Sequence, residues 1–422
     1  MINRPEYIQQ LLPFKDKNMA KILSGARRAG KSTIFTLFQD YLRKNGVNND
    51  QIHVINLEDI DNEHLLHYRT LYDHIKKNLV SNKMNYIFLD EVQNVESFQK
   101  TARSLLDKDN VDLYMTGSNS KMLSGEWATS LAGRYVEIHV LPLSFREYVS
   151  FLNDENSSKT LLDLYNQYTE FGSFPQAVVD FLKPSEGFNR TVIQQFLQGI
   201  YSTIVLKDVS DRQKEKGISI NVYVLENIIK FMSGNIGNLT SPNNIANTMT
   251  SHGTSISTPT IDSYLKAFCD SFILYKTGRY DIKGKKALQT LDKYYLVDMG
   301  FRYLTIGNKR DADGYILENI VYLELLRRCF NVSVGKITKK IDGETRTIEV
   351  DFVAQKPGGI IEYYQVALTA LAESTFKREI APLEEIRDNY PKYLLTLDSG
   401  NSIHNGIKCI NVLEWLLISF QP

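Results

Sequence analysis

GARRAGKST (residues 25–33) lies between the short apolar strand Lys21 to Ser24 and a segment of helical period running from Ser32 to Arg43. It matches G-x-x-x-x-G-K-[ST], the loop whose glycines let successive backbone amides turn towards one point at a helix N-terminus. Such a nest binds phosphate, so Gly25, Ala26, Arg27, Arg28, Ala29, Gly30, Lys31, Ser32 and Thr33 are the candidate nucleotide-binding residues. Lys31 is expected to reach the β- and γ-phosphates of ATP, and the Ser32 hydroxyl to sit on Mg²⁺. The helix after the loop is expected to bury Ile34, Leu37, Phe38 and Tyr41.

Working outward, YIFLDE (86–91) is a buried strand ending in two acids. Asp90 at the strand end is placed to hold magnesium through water. Glu91, next along, is placed to polarise the attacking water as general base. A solvated acidic pair at a strand end is the plainer reading, and the phosphate loop weighs against it. A further strand, VDLYMTG (111–117), runs into TGSNS (116–120), where Ser118 or Asn119 is a candidate γ-phosphate contact at the carboxyl edge of the sheet. Arg134, in LAGRY, reads equally as a charge-stabilising arginine, in cis or from a neighbouring subunit, and as a surface ion pair. With IHVINLE (52–58) and YVEIHVL (135–141) the first 145 residues give five apolar strands separated by helices. That pattern implies an α/β fold with a parallel sheet covered on both faces.

Residues 146–215 read as largely helical, broken by the polar loop Asn153 to Lys159 and by FGSFPQ (171–176). From about 216 the pattern is three helices and a hairpin: Asn221 to Gly234, Ser241 to Met249, and a third helix starting at Thr258-Pro259. Ile261, Tyr264, Leu265 and Phe268 give the third helix one buried face. The hairpin FILYKTGRYDI, KGKK, ALQTLDKYYLVD (272–298) completes the pattern of a winged helix. The last 120 residues read as a helix, Tyr315 to Phe330, three strands, a helix from Thr375 to Asn389, two strands and a terminal helix.

Composition excludes several classes. Lys plus Arg and Asp plus Glu are 49 each, so the 422-residue chain offers no net field to nucleic acid, and any such contact must be local. Cys269, Cys329 and Cys409 are far apart in apolar segments and read as buried hydrophobes without zinc spacing. His64 and His67 form an H-x-x-H with no acid or cysteine cluster beside it, a surface pair rather than a metal site. No stretch has the apolar core of a signal peptide or the length of a membrane span, which points to a cytoplasmic protein.

The order of phosphate loop, Asp-Glu strand, TGS strand and GR-strand-PLSF resembles the AAA+ superfamily. More narrowly, GARRAGKST, FLDEVQNV (88–95), TGSNS, LAGRYVEIHVLPLSFREY (131–148), KYYLVDMGFR (293–302), LENIVYLEL (317–325) and EVDFVA (349–354) resemble prokaryotic ATPases that carry a C-terminal domain of unknown function. The resemblance covers nearly the whole chain. It implies hydrolysis of ATP, and a strand inserted between those of the phosphate loop and the Asp-Glu motif. It also implies Ser118 or Asn119 as sensor and Arg134 as finger. The expected organisation is an ATPase domain (1–148), a helical linker or lid (149–215), a winged helix (216–298) and a domain similar to restriction endonucleases, the PD-(D/E)XK fold (299–422).

Endonucleases of that fold need clustered acids for Mg²⁺ and a lysine for the attacking water. Glu318 and Asp351 match the acid positions. The acid-x-lysine motif falls on Gln365-Val366-Ala367, so the lysine is gone and the acid has become an amide. Glu362 is out of phase with Gln365 on its strand. The expectation is an inactive nuclease fold kept for binding DNA, RNA or protein, with an ATP-gated nuclease as the alternative. In the wing, Lys276, Arg279, Lys283, Lys285, Lys286 and Lys293 face only Asp281 and Asp292, a basic hairpin suited to phosphates. The presumed recognition helix exposes Asp262, Ser263, Lys266 and Asp270, without an arginine to read guanine. DNA contact and a structural role both stay open. The whole reads as an ATP-driven switch or motor on DNA or a protein partner, or as a non-hydrolysing scaffold. A finger acting in trans would require a homo-oligomer.

Overall fold

In the computed structural model the described residues are 2–118, 131, 133–152, 159–182, 190–203, 209–210, 221–251, 253–307, 313–341 and 344–419. The phosphate loop is carried by a five-stranded sheet of β1 (Ala20–Ser24), β2 (Ile52–Asn56), β3 (Asn85–Asp90), β4 (Val111–Gly117) and β5 (Tyr135–His139). All its pairings are parallel, in the order β2-β3-β4-β1-β5. β4 therefore lies between the loop-bearing strand and the Asp-Glu strand, as the resemblance implies. Ile22, Leu23, Ile87, Phe88, Leu89, Leu113, Tyr114 and Met115 are all buried, because helices cover both faces.

Helix α1 (Pro5–Leu11) precedes the sheet, and α2 (Lys31–Lys44) leaves the phosphate loop. Two further helices, α3 (Tyr68–Asn78) and α4 (Phe98–Leu106), complete the layers. The buried side of α2 differs from its sequence expectation. Ile34 and Phe38 are buried, but Phe35 and Leu42 join them while Leu37 and Tyr41 are only half-buried. The stripe turned because Phe35 packs edge-on against Phe88 of the sheet, 5.1 Å between ring centroids. His64 and His67 are exposed, and the His67 ring accepts from the Arg69 amide to cap α3.

Helices Phe145–Leu152, Leu161–Phe171, Pro175–Phe181 and Arg190–Tyr201 follow the sheet. Three more, Val222–Gly234, Pro242–Ser251 and Thr258–Asp270, stand where the pattern placed them. The cap of the third is Ser257 rather than Thr258, since the Ser257 hydroxyl accepts from the Thr260 amide. Asp298 ties two regions together. It caps the helix Met299–Ile306 through the Gly300 amide at 2.9 Å and accepts from the Ser173 amide and hydroxyl at 2.6 and 2.7 Å.

The hairpin is not a free-standing wing. Its strands β6 (Leu274–Asp281) and β7 (Lys286–Leu296) belong to an eight-stranded sheet with β8 (Asn331–Ile341), β9 (Glu344–Lys356), β10 (Ile360–Val366), β11 (Lys392–Thr396), β12 (Ser402–His404) and β13 (Ile407–Asn411). The order is β12-β13-β11-β10-β9-β8-β6-β7, with β6 parallel to β8 from Arg279 opposite Val334. A boundary at residue 298 therefore crosses a continuous sheet. Pairing satisfies a backbone edge that a separate hairpin would leave open, and local periodicity carries no signal of it. Lys293 is also not on the wing surface, being 3% exposed. The cysteines differ too: Cys329 is exposed and Cys269 and Cys409 are half-buried. Among the described residues, no helix is long and apolar enough to cross a membrane.

Candidate functional site

Gly25 and Gly30 hold the loop in its shape, with φ of 142° and 96°. A Cβ on Gly25 would meet the Val140 carbonyl oxygen at 2.1 Å, so this residue must be glycine for β5 to lie against the loop. Arg28 takes a positive φ of 64° at the crown, and Arg27 pairs with Glu58 across the surface. Lys31 opens α2, is 4% exposed, and donates to the carbonyls of Gly25 and Ala26, both at 3.1 Å. Ser32 beside it is exposed, and Thr33 is half-buried.

The loop is clamped from outside the sheet. Arg4, 1% exposed, donates to the Ala29 carbonyl at 2.9 Å, to Leu141 at 2.9 Å, and to both oxygens of Glu147 at 2.8 and 3.1 Å. Next to this clamp lies a cavity of about 210 Å³ walled by Ile2, Thr33, Leu143, Pro175 and Val179, with Gln176 at its side. It adjoins Gly30 and has the mostly apolar character that suits a nucleobase. Sequence reading missed it, because its walls come from four segments with no shared motif.

Asp90 and Glu91 come to the same carboxyl edge. The Thr116 hydroxyl donates to Asp90 and also accepts from the Glu91 amide at 2.9 Å, so β4 orients both acids. Glu91 takes a positive φ of 56°, a conformation that costs energy outside glycine and aims its side chain back over the loop. Its carboxylate accepts from Gln93 and, at 3.2 Å, from the Ser118 hydroxyl, and it stands 3.8 Å from the Lys31 ammonium. Ser118 thus sits on the expected base. Thr116 and Gln93 are contributors that the motifs did not single out, though both lie inside the quoted strings. Asn119 falls outside the described residues. The hydroxyl of Ser32 and the carboxylate of Asp90 are the oxygen donors that Mg²⁺ prefers, and they are the residues that would hold it.

Arg134 is elsewhere. It precedes β5 at the opposite edge of the sheet, pairs with Asp107 at 2.9 Å and reaches the Leu106 carbonyl at 3.4 Å. A five-residue strand separates it from the loop edge, about 16 Å at about 3.3 Å per residue, so it makes no contact with the phosphate site of its own chain.

Two links, one part-buried and one buried, join this site to the rest of the chain. His139 at the end of β5 lies 3.0 Å from the Ser24 hydroxyl and, through its other nitrogen, 2.8 Å from the Tyr275 hydroxyl of β6. Burial, followed by the charges of Lys31 and Arg327, lowers its pKa to about 4, so the ring is neutral at pH 7. Arg327, in the helix Asp313–Arg327, donates to the carbonyls of Pro142 and Leu143 at 3.0 and 3.2 Å.

The C-terminal acids form a second cluster, assembled around a lysine. Glu318 accepts from Lys293 at 3.0 Å and from the Tyr295 hydroxyl at 2.7 Å, and Lys293 also reaches Glu349 at 2.8 Å. Asp351 accepts from the Val366 amide at 2.8 Å, and the Gln365 side-chain oxygen accepts from the Asp351 amide at 3.4 Å. Burial, then the Glu318 charge, pushes the Asp351 carboxyl well above its usual range. Burial works against the Lys293 charge, but Glu318, Asp351 and Glu349 outweigh it and raise that pKa. The sequence pattern does not assign Lys293 or Glu349 to this cluster. Glu349 was findable two residues before Asp351 on one strand face. Lys293 comes from β7 and carried no signal. Among the described residues, no group of three or more His, Cys, Asp and Glu side chains is arranged to hold a metal ion.

An AAA domain model matches residues 17–149, and a domain of unknown function (DUF8612) matches residues 162–312. An uncharacterized protein of Haemophilus influenzae is 38% identical over 99% of this chain and 99% of its own. Another, from Methanocaldococcus jannaschii, is 31% identical over 95% of this chain and 84% of its own. Among solved structures, a Walker-type ATPase of Pyrococcus abyssi aligns with a TM-score of 0.51 at 14% identity, over 72% of this chain and 96% of that one. That likeness is one of fold. The chain belongs to the family of the Haemophilus and Methanocaldococcus proteins, and the part of it that carries the phosphate loop is an AAA domain.

Proposed function

We propose that this protein binds ATP at residues 25–33, with Ser32 and Asp90 for Mg²⁺, and hydrolyses it to ADP and phosphate, using nucleotide state to move its C-terminal sheet against a DNA or protein partner. The observation that carries the reading is the convergence of Lys31, Asp90 and Glu91 on one sheet edge, with Lys31 3.8 Å from Glu91. Lys31 takes the β- and γ-phosphate charge, exchanging its loop carbonyl partners for phosphate oxygens. Ser32 and Asp90 would hold the magnesium, whose chemistry there would be neutralisation of phosphate charge. Glu91 orients water and takes its proton, while Ser118 and Gln93 hold the carboxylate in place. Asn119 as an additional sensor, and Arg134 acting on the site of a second copy, complete the proposal.

The switch is supported by these two links. Movement at Ser24 or at Pro142 and Leu143 is felt by Tyr275 and Arg327 without an intervening loop. In this reading the three helices and hairpin act as a winged helix fused to an endonuclease-like sheet. The pairing of Lys293 with Glu318 and Glu349, together with Gln365 in place of an acid, supports the inactive reading over the nuclease alternative. The experiment is steady-state ATP hydrolysis by wild type and Glu91→Gln, with and without duplex DNA. Turnover in wild type that is lost in Glu91→Gln supports the engine, and stimulation by DNA selects DNA over protein as partner. Normal turnover in Glu91→Gln removes the assigned base. Tight ATP binding with no turnover in wild type would favour the scaffold.

A further inference from the structure

Four arginines are buried among the described residues, and three have guanidinium groups that donate to protein acceptors, although the Nε of Arg327 has no partner. Arg4 binds Glu147 and two carbonyl segments, Arg327 binds the Pro142 and Leu143 carbonyls, and Arg328 binds Glu324 and the Trp415 carbonyl while stacking on the Trp415 ring. Arg302 is different. It is 3% exposed, yet its guanidinium makes no hydrogen bond or ion pair with any described residue, and its Nε is buried without a partner. Burial lowers its pKa from the ordinary value, with the charge of Asp313 working the other way. Leaving a guanidinium buried and unpaired costs stability, so its retention calls for a ligand or a use.

Arg302 opens into a cavity of about 460 Å³ between the helix Leu161–Phe171, the helix Met299–Ile306 and the ends of β10 and β11. Tyr165, Thr169 and Tyr303 offer hydroxyls, and Glu170 and Asp313 offer carboxylates. Glu170 is 3.3 Å from Arg190 through one oxygen and interacts with the Tyr303 hydroxyl, and its other oxygen is buried. The frame is tight. A Cβ on Gly172 would meet Asp298 at 2.0 Å, and one on Gly300 would meet the Phe171 carbonyl oxygen at 2.8 Å. The helix carrying Arg302 is thus held directly against the one carrying Glu170, so the cavity is a feature of packed elements.

We propose that this cavity binds a compact ligand with one phosphate or carboxylate group, which pairs with Arg302, and hydroxyl or ammonium donors that face Glu170 and Asp313. Its size falls in the range of small-molecule sites, about 300–1,000 Å³. One arginine against two acids excludes polyanions such as a nucleoside triphosphate or a nucleic-acid backbone, because the second and third charges would meet carboxylates. Planar pairing of guanidinium with an oxyanion supplies both orientation and strength. Its lining residues come from the segment 162–312 and from the helix and strand ends that follow it, and none belongs to the phosphate loop.

The test is calorimetric titration of full-length protein saturated with Mg²⁺ and ADP, so that the phosphate loop is filled. The probes are O-phosphoethanolamine and β-alanine, which share an ammonium end and differ in the oxyanion. Binding of one probe and not the other assigns the oxyanion as phosphate or carboxylate. Arg302→Gln should weaken that binding tenfold or more, about the loss expected for a charged hydrogen-bonded pair, with Arg302→Lys in between. Asn166→Trp, which adds bulk at the wall and leaves Arg302 intact, should weaken it likewise and guards against misfolding of the arginine variants. Failure of both probes at about 20 mM, weaker than any working metabolite site, overturns the proposal. Equal binding by Arg302→Gln and Asn166→Trp overturns it too. A second arm needs no ligand: Arg302→Leu should raise the ligand-free Tm. A fall of several degrees would make Arg302 a structural group and end the proposal.

Discussion

Lys31 and Lys293 are 4% and 3% exposed, and each stands beside carboxylates. Their partners differ. Lys31 donates to the neutral carbonyls of Gly25 and Ala26, with Glu91 at 3.8 Å. Lys293 lies 3.0 and 2.8 Å from two carboxylates, with Tyr295 closing the group. A neutral carbonyl is an acceptor that an ammonium exchanges for a phosphate oxygen at little cost. A buried carboxylate is not, because separating the pair leaves two charges without water. Among the described residues the phosphate loop sets its lysine on neutral carbonyls, and the C-terminal cluster sets its lysine between carboxylates.

The largest effects belong to the first site. Lys31→Ala should abolish ATP binding by calorimetry and cut turnover by about 10² or more, the scale of losing a preorganised charge stabiliser. Glu91→Gln should keep ATP bound and reduce kcat by about 10²–10⁴, the range of general-base catalysis. ATP binding of Lys31→Ala at wild-type affinity would break the comparison at its strong end.

At the second site the expected loss is in stability. Lys293→Met should destabilise the fold by about 3–5 kcal/mol in urea unfolding, the cost of stripping one partner from a buried pair. Adding Glu318→Gln should recover part of that loss, since the two residues are coupled. ATP turnover per folded molecule should be much less affected than by Glu91→Gln. A Lys293→Met protein as stable as wild type would mean that the ammonium is not what holds the acids.

The protonation of Asp351 sharpens the point. Its folded-state pKa is raised above its unfolded value, so the folded state keeps a proton that the unfolded chain loses. Stability from that proton is full below the unfolded value of 3.8 and is lost as pH rises towards the folded pKa. Asp351→Asn should therefore be more stable than wild type at pH 7, with the gain shrinking towards pH 4. A gain that is constant with pH would assign the effect to packing. The smallest effect is at Arg134. Its exposed pair with Asp107 should cost less than about 1 kcal/mol on Arg134→Ala. A tenfold loss of kcat in the same variant, rising and falling with protein concentration in mixtures with wild type, would instead place Arg134 in a neighbour's phosphate site.

The AAA core was legible because each of its parts is local. Strand, glycine loop and helix are contiguous, and Asp90 and Glu91 end a strand whose apolar run announces its burial. Even there, the sequence period turned α2 slightly wrong, since the packing of Phe35 on Phe88 and not periodicity alone chose the buried side. The acids Glu318 and Asp351 were also findable from strand and helix pattern. What pattern could not show was Lys293, which arrives from another strand, or Arg302, whose lack of a partner is visible only when every neighbour is in place.

The sequence by itself determined the parallel sheet, the phosphate loop and the two acids over it, because hydrogen bonding and hydrophobic period act within a few residues. Tertiary structure alone decided that the hairpin is part of the C-terminal sheet and that Arg134 faces away from its own loop. It alone decided that Lys293 neutralises the second cluster. Strand pairing and charge pairing are choices between segments far apart in the chain, and they are made only where packing brings those segments together.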